Sequence, residues 1–336
     1  MVTDHTKSPP LISIVVPVYN EAETIPLLQQ RLNQLAIDGR YTFEFVYIDD
    51  GSHDETAQLL ISMERRDPRI RTVTFSRNFG KEAAITAGLK VSRGAAVVLI
   101  DADLQDPPEC ILDMLQAWRG GFDIVNMRRR RRYGEPWHRR LAAWLFYRGL
   151  NALADESIPE DIGDFRLLSR AAVDALNNVP ERNRYMKGLF AWIGFNTTTL
   201  TYDRAPRSAG QSKWSYGQLF GLAIDAITSF SVAPLRIVTL SGALTALASI
   251  AVGAVIILKT LLLGEVVRGY TSLVTLITFT GGIQLFAIGI IGEYIGKVYL
   301  ETKKRPLYIL HHASDKTEQY NQKTTWSSLA ANDRQL

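Results

Sequence analysis

The feature that most limits how this chain can fold is a pair of apolar runs, Ile237–Leu258 and Tyr270–Gly292, neither of which contains a charged residue. Each exceeds the roughly 20 residues that a helix needs to cross the hydrocarbon core of a bilayer. Buried helices of soluble proteins are shorter and seldom come as adjacent pairs. The runs therefore predict a two-span hairpin, with spans at 233–263 and 270–296. Arg236 precedes the first run, and Lys297, Lys303, Lys304 and Arg305 follow the second. The connection carries only Lys259, Glu265 and Arg268. The positive-inside rule then places both outer flanks, and everything N-terminal to the hairpin, in the cytosol. Residues 1–10, MVTDHTKSPP, form a tail without the apolar stretch of a signal peptide, which predicts a cytosolic N-terminus.

Upstream of the hairpin, short β-branched runs alternate with stretches of helical spacing. Strands are expected at Leu11–Val16 (ended by Pro17), Phe43–Ile48, Ile70–Phe75, Ala96–Ile100 and Asp123–Asn126. Helical spacing covers Glu23–Leu35, the stretch from Thr56 to Met63, and Glu82–Val91, and Pro107-Pro108-Glu109 opens another helix. This alternation predicts an α/β domain over 11–213 with a mostly parallel, doubly wound sheet. Two stretches, 137–154 and 214–232, mix aromatic residues with scattered charge. They suit helices lying in the headgroup plane, or else ordinary surface helices packed on the sheet. The cytosolic tail, 297–336, is polar beyond Leu310, lacks periodicity and is expected to be disordered there.

Net charge is +4 with a pI near 9.1, compatible with nucleic acid, an anionic membrane or phosphorylated substrates. The basic run Arg128–Arg132 precedes a stretch rich in Trp and Arg in a chain with two spans, so lipid phosphate rather than nucleic acid is the expected partner. A solvated loop is the alternative for that run. Cys110 is the single cysteine, which excludes an intrachain disulfide and a cysteine-based zinc site.

In an open parallel sheet, ligands bind beyond the carboxyl ends of the strands. Three polar clusters fall at such ends: Pro17-Val18-Tyr19-Asn20-Glu21, Asp49-Asp50-Gly51-Ser52 and Asp101-Ala102-Asp103-Leu104-Gln105-Asp106. Asp101 and Asp103 can share a divalent cation with a diphosphate, and Gln105 can add a neutral oxygen, an all-oxygen set that suits Mg²⁺ or Mn²⁺. An EF-hand fails because its sixth position would be Asp106 and its twelfth Leu112. Neither a GxGxxG nor a GxxxxGK[ST] motif is present.

PVYNE, DDGS, RNFGKEAAITAGL, DADLQDPPE, GDFRLLSR, PERNRYMKGLFAWIGF and ETKKRPLYI together resemble the bacterial bactoprenol (undecaprenyl-phosphate) glucosyltransferases. These are family 2 glycosyltransferases related to dolichol-phosphate mannose synthase, and the similarity runs from about Leu11 to Leu310. The resemblance implies a GT-A (Rossmann-like) fold, a nucleotide-sugar donor, a divalent metal, a polyprenyl-phosphate acceptor and inversion at the anomeric carbon. It implies UDP-glucose as donor, although relatives use GDP-mannose, UDP-N-acetylglucosamine or modified UDP-arabinose. A bacterial inner-membrane location and a homo-oligomer, often a tetramer, are implied as well. Residue by residue, Pro17, Tyr19, Glu21 and Asp50 match the nucleotide site. Asp101, Ala102, Asp103 and Gln105 match the metal and diphosphate site, and Asp164 the reaction centre. Arg207 and Lys213 match basic residues that meet the diphosphate, and Arg128 with Arg139 or Arg140 the acceptor-phosphate arginines.

Local alternatives stay open for several of these. Glu21 also suits the N-terminus of the following helix, Asp50 a tight turn, and Asp164 a structural pairing with Arg166 or a neighbouring arginine. A processive polysaccharide synthase would need a QxxRW motif, which Gln211-Ser212-Lys213-Trp214 does not supply. A non-catalytic scaffold or transporter subunit would have no use for Asp101, Asp103 and Asp164 together.

Overall fold

The computed structural model of the protein describes residues 9–36, 39–130, 162–182, 184–203, 228, 232–263 and 269–313. Strand β1 (Leu11–Val18) is apolar on both faces, and Ile12, Ile14, Val15 and Val16 are fully buried. A strand of that kind belongs inside a parallel sheet. It lies between β2 (Thr42–Asp49) and β4 (Ala96–Leu99), parallel to both, and β3 (Ile70–Phe75) adds in parallel to β2. Helices α1 (Ile25–Leu35), α2 (Thr56–Arg66) and α3 (Lys81–Val91) lie between successive strands. A single 3₁₀ turn, Pro108–Cys110, leads into α4 (Ile111–Arg119) and then β5 (Ile124–Arg129). β6 (Ile162–Ser169) runs antiparallel between β4 and β5, and is followed by α5 (Arg170–Asn177) and α6 (Met186–Trp192). β7 (Thr197–Tyr202) is parallel to β5, and β8 (Leu310–Ala313) antiparallel to β3. The eight strands run β7-β5-β6-β4-β1-β2-β3-β8. The α/β, mostly parallel sheet read from the alternation is present.

Two details differ from expectation. β1 does not stop at Pro17 but continues through it to Val18. The Val15 carbonyl, which faces β4, accepts the Ile100 N–H at 3.1 Å, so Pro17 faces the same side. β4 pairs with β1 only as far as Val15, so the missing proline N–H removes no ladder bond. The tail is also ordered for three residues beyond Leu310, because β8 finds the open edge of β3 there.

A polar network is buried at Glu44 in β2. Its Oε1 accepts the Ser13 hydroxyl at 2.5 Å and the Arg93 N–H at 2.6 Å, and its Oε2 lies 3.5 Å from Arg71 Nη1. The pair is almost closed to solvent, at 5% for Arg71 and 8% for Glu44. Glu44→Ala takes the hydrogen-bonded carboxylate away from a buried guanidinium and is expected to destabilise the protein by about 3–5 kcal/mol. Thermal unfolding of the solubilised protein measures this, and a loss below about 1 kcal/mol contradicts the assignment.

The described residues fall into two compact units, one holding the sheet with its helices and residues 305–313, the other the two long helices. These helices are α7 (Ala233–Leu263), 31 residues, and α8 (Tyr270–Thr302), 33 residues. Windows at Pro234–Ile256 and Phe279–Thr302 have mean hydropathies of 1.9 and 1.3 and are long and apolar enough to cross a membrane. Large apolar side chains such as Ile250, Leu261 and Phe286 stand exposed along them. Their hydroxyls turn back onto their own helix: Thr245 Oγ1 donates to the Ser241 carbonyl, and Ser249 Oγ to that of Thr245, both at 2.8 Å. This satisfies the polar atoms without water.

Candidate active site

The carboxyl ends of β1, β2 and β4 point to one edge of the sheet, and the loops there are laced together. The Asn20 N–H donates to Ser52 Oγ at 2.9 Å, and Asn20 Oδ1 accepts the His53 N–H at 2.9 Å. Glu21 N–H donates to Thr56 Oγ1 at 3.0 Å. Tyr19 stands 39% exposed beyond β1, edge-on to His53. The Glu21 carboxylate accepts the Thr24 hydroxyl at 2.8 Å, and its carbonyl accepts the Ile25 N–H at 3.2 Å. The N-cap of α1 is Thr24, and no side chain, that of Glu21 included, caps its N–H groups.

Asp50 is buried and grips the loop after β3, accepting Phe79 N–H at 2.6 Å and Gly80 N–H at 2.9 Å. Gly51 lets this loop approach. Its φ is +69°, and a Cβ there would lie 2.3 Å from the Arg77 carbonyl carbon.

Asp101 and Asp103 follow β4 in a turn where Leu104 has φ +60°, a strained conformation for a bulky residue and one that clusters at functional sites. Asp103 Oδ1 accepts the Gln105 N–H at 3.1 Å, and Gln105 is buried in the same turn. The side chain of Asp106 accepts the Tyr202 hydroxyl, fastening the turn to the end of β7.

Asp164 arrives from the antiparallel strand. Leu99 of β4 pairs with Arg166 of β6, so the register carried two residues further sets Asp164 opposite Asp101. Between them lies Lys81, from the first turn of α3, with Nζ 2.6 Å from Asp101 Oδ1 and 2.5 Å from Asp164 Oδ2. The alternative pairing of Asp164 with Arg166 has no direct contact: Arg166 Nη2 donates to the Gly163 carbonyl at 2.7 Å, and its guanidinium stacks 3.8 Å over Phe190.

Charge is concentrated around this trio. Burial alone would raise the Asp164 pKa, but Lys81 and Lys187 outweigh it and hold the carboxyl at about 2. Crowding in the cleft disfavours the Lys81 charge, and Asp101 and Asp164 outweigh that and raise its pKa. Burial pushes the Lys187 ammonium down. Burial and the Asp164 charge push Glu82 up to about 7.

The raised Glu82 value sets a sign for stability. A carboxyl whose pKa is higher folded than unfolded favours folding below the unfolded value, and loses that contribution as pH rises to about 7. Glu82→Gln is therefore expected to stabilise the protein at pH 8, by on the order of 1 kcal/mol, and to change little at pH 4. Thermal unfolding at the two pH values checks this. A variant less stable than the parent at pH 8 contradicts it.

Arg128 lies exposed at the end of β5, on the same edge, with Arg129 and Arg130. Arg130 pairs with Asp203 at 3.3 Å. Arg139, Arg140, Arg207 and Lys213 lie outside the described residues, as do the stretches 137–154 and 214–227.

The described residues include no group of three or more His, Cys, Asp or Glu side chains placed to hold a metal ion. Asp101 and Asp103 nevertheless fit a hard cation that draws its remaining ligands from phosphate and water. Both are oxygen donors, and the Asp101 side chain is 26% exposed and already holds an ammonium.

Comparison with known proteins bears on this arrangement. Residues 13–176 match Glycosyl transferase family 2, and residues 233–298 match the GtrB C-terminal hairpin. An uncharacterized glycosyltransferase of Synechocystis is 46% identical over 89% of this chain and 94% of its own length. The chain belongs to the family 2 glycosyltransferases. The family 2 enzyme is also 44% identical to a prophage bactoprenol glucosyl transferase homolog of Escherichia coli, over 89% of this chain and 98% of that one. It is 43% identical to the bactoprenol glucosyl transferase of Shigella phage SfV, over 91% and 99%. A solved structure of glucosyl-3-phosphoglycerate synthase from Mycobacterium tuberculosis, in complex with Mn²⁺, UDP-glucose and phosphoglyceric acid, gives a TM-score of 0.43 at 20% identity. That match covers 65% of this chain and 78% of the other. The glycosyltransferase unit has the α/β GT-A architecture expected of the family.

Lys81, Glu82 and Lys187 were not singled out by sequence. One signal was available: a lysine in the first turn of a helix opposes the helix dipole, so its position calls for carboxylate partners.

Proposed function

We propose that this glycosyltransferase moves glucose from UDP-glucose to undecaprenyl phosphate at the cytosolic face of a bacterial inner membrane. The observation that carries this is the Asp101–Lys81–Asp164 trio on the sheet edge where the Arg128 strand also ends. Two apolar helices and relatives named bactoprenol glucosyl transferases support the lipid acceptor. The basic flanks of the helices support the cytosolic orientation.

In this mechanism Pro17, Tyr19, Glu21, Asp50 and Ala102 line the nucleotide. Asp101 and Asp103, with Gln105, would hold Mg²⁺ or Mn²⁺, which would supply charge neutralisation at the departing diphosphate. Arg207 and Lys213 meet that diphosphate. Arg128, with Arg139 or Arg140, receives the acceptor phosphate, a dianion that guanidinium groups bind in a bidentate fork. A phosphate oxygen forms the new bond to the anomeric carbon as the bond to UDP breaks. The product is a sugar phosphodiester of the lipid, with inverted configuration.

No protein base is required, because a phosphate monoester with a second pKa of about 6 is largely dianionic at neutral pH. Asp164, held ionised by an ammonium at 2.5 Å, is a poor proton acceptor. Its fixed negative charge instead stabilises the positive charge that develops at the anomeric carbon.

The test is a donor panel with undecaprenyl phosphate and mass analysis of the lipids. UDP-glucose is expected to yield a lipid one hexose heavier, with UDP released. A lipid product from GDP-mannose or UDP-N-acetylglucosamine alone corrects the donor, and no lipid product from any donor overturns the reading. Chelator is expected to stop turnover; full activity in excess chelator removes the metal from the mechanism.

A further inference from the structure

The loop that Asp50 grips is held from its other side by residues far away in the chain. Strand β8 pairs with β3 (Phe75↔Leu310), and the Ser76 N–H donates to the Ile309 carbonyl at 2.9 Å. Just before β8, Tyr308 stacks on Phe75 with ring centroids 4.7 Å apart and planes 9° from parallel. Phe75 in turn meets Phe79 edge to face at 5.9 Å, and the Arg77 guanidinium lies 4.2 Å from the centre of the Phe79 ring. Phe79 and Gly80 are the residues whose N–H groups bind Asp50, and Lys81 follows them directly. One continuous contact path thus runs from Tyr308 through Phe75 and Phe79 to Asp50 and the start of α3.

We infer that Tyr308 is a positioning residue for donor binding: its stack on Phe75 fixes the 76–80 loop, and through it Asp50 and Lys81, in the geometry that receives the nucleotide sugar. The inference rests on the proposed donor site. A tyrosine that only stapled the fold would lower thermal stability and leave substrate constants alone. A positioning residue shifts the donor constant, because the loop must be re-ordered each time donor binds. The contact with Phe75 is made by the aromatic face, as a ring stack.

The experiment uses full-length, solubilised protein with UDP-glucose and undecaprenyl phosphate. Tyr308→Ala is expected to raise KM for UDP-glucose about tenfold, as loss of one aromatic stack allows, with kcat within about threefold. Tyr308→Phe is expected to match the parent. If Tyr308→Ala does not fold, Tyr308→Leu keeps apolar bulk without the ring and is judged by the same constants. Binding of UDP to Asp103→Ala in the presence of Mg²⁺ separates the two levels of argument. An unchanged donor KM without the ring, while Asp103→Ala has lost UDP binding, overturns the inference and leaves the donor site standing. Parental UDP binding by Asp103→Ala overturns that site and the inference with it.

Discussion

Asp164→Asn is expected to lower kcat on the order of 100- to 1,000-fold, the scale on which a single electrostatic stabiliser of a transition state acts. KM for the donor should change little, because the charge is needed at the reacting carbon and not for holding the nucleotide. The substitution keeps shape and hydrogen-bonding capacity while removing the charge that Lys81 faces at 2.5 Å. Some loss of stability at neutral pH should accompany it, since a carboxyl held at about 2 by its lysine neighbours favours folding while ionised. The acidic limb of the pH–rate profile should survive at lower amplitude, because the acceptor phosphate and not Asp164 titrates there. With saturating lipid and arginine neighbours, that limb should lie below about pH 6, the value for a phosphate monoester in water. Arg128→Ala should move it upward and raise KM for the lipid, and Arg128→Lys should recover only part of either effect. Loss of the limb in Asp164→Asn, with no movement in Arg128→Ala, assigns the titration to Asp164 and contradicts the mechanism.

Lys81→Met is expected to be about as damaging, for a different reason. It removes the ammonium that, among the described residues, bridges Asp101 and Asp164, leaving two carboxylates facing each other across the register of β4 and β6. Two like charges left without the ammonium between them repel, which disturbs the diphosphate end and the reaction centre together. Donor affinity and kcat should therefore fall together, with kcat/KM reduced on the order of 100-fold or more. Lys81→Arg should rescue poorly, because a planar fork cannot replace a compact ammonium between two carboxylates. The double variant Lys81→Met/Asp164→Asn should lose less than the product of the single effects, as residues acting in one unit do. Additive losses measured in steady-state kinetics contradict a shared function.

How much of this was legible depended on how far apart in sequence the cause lay. The parallel core of β1 to β4 could be read directly, because each strand is a short run rich in β-branched or aromatic residues and buried on both faces. β6 was visible only as a motif, GDFRLLS, and its antiparallel insertion next to β4 could not be read from spacing. That insertion is what brings Asp164 to Asp101. β7, Thr197–Tyr202, is largely threonine and half exposed, so it carries no strong apolar pattern. β8 is four residues long with two histidines, and its order comes from the open edge of β3 rather than from its own composition. Asp101 and Asp103 were identified because carboxylates after an apolar strand have few structural uses, and Asp164 only through the resemblance that GDFRLLSR carries. Lys81 escaped because a lysine opening an amphipathic stretch looks like solvated surface until its partners arrive from other strands. The function of Asp50 also became clearer only in three dimensions, since its oxygens hold backbone N–H groups 29 and 30 residues away.

In the proposed reaction the lipid phosphate itself attacks the sugar, with UDP as leaving group, at the sheet edge that Asp101, Lys81 and Asp164 occupy. Undecaprenyl phosphate labelled with ¹⁸O in its non-bridging phosphate oxygens, incubated with UDP-glucose and the full-length enzyme, tests this. One UDP should be released per lipid glycosylated, and the lipid monophosphate diester should retain all of the label, part of it in the oxygen bonded to the anomeric carbon. Release of UMP with formation of a lipid diphosphate, or glucose appearing in water instead of on the lipid, would contradict it.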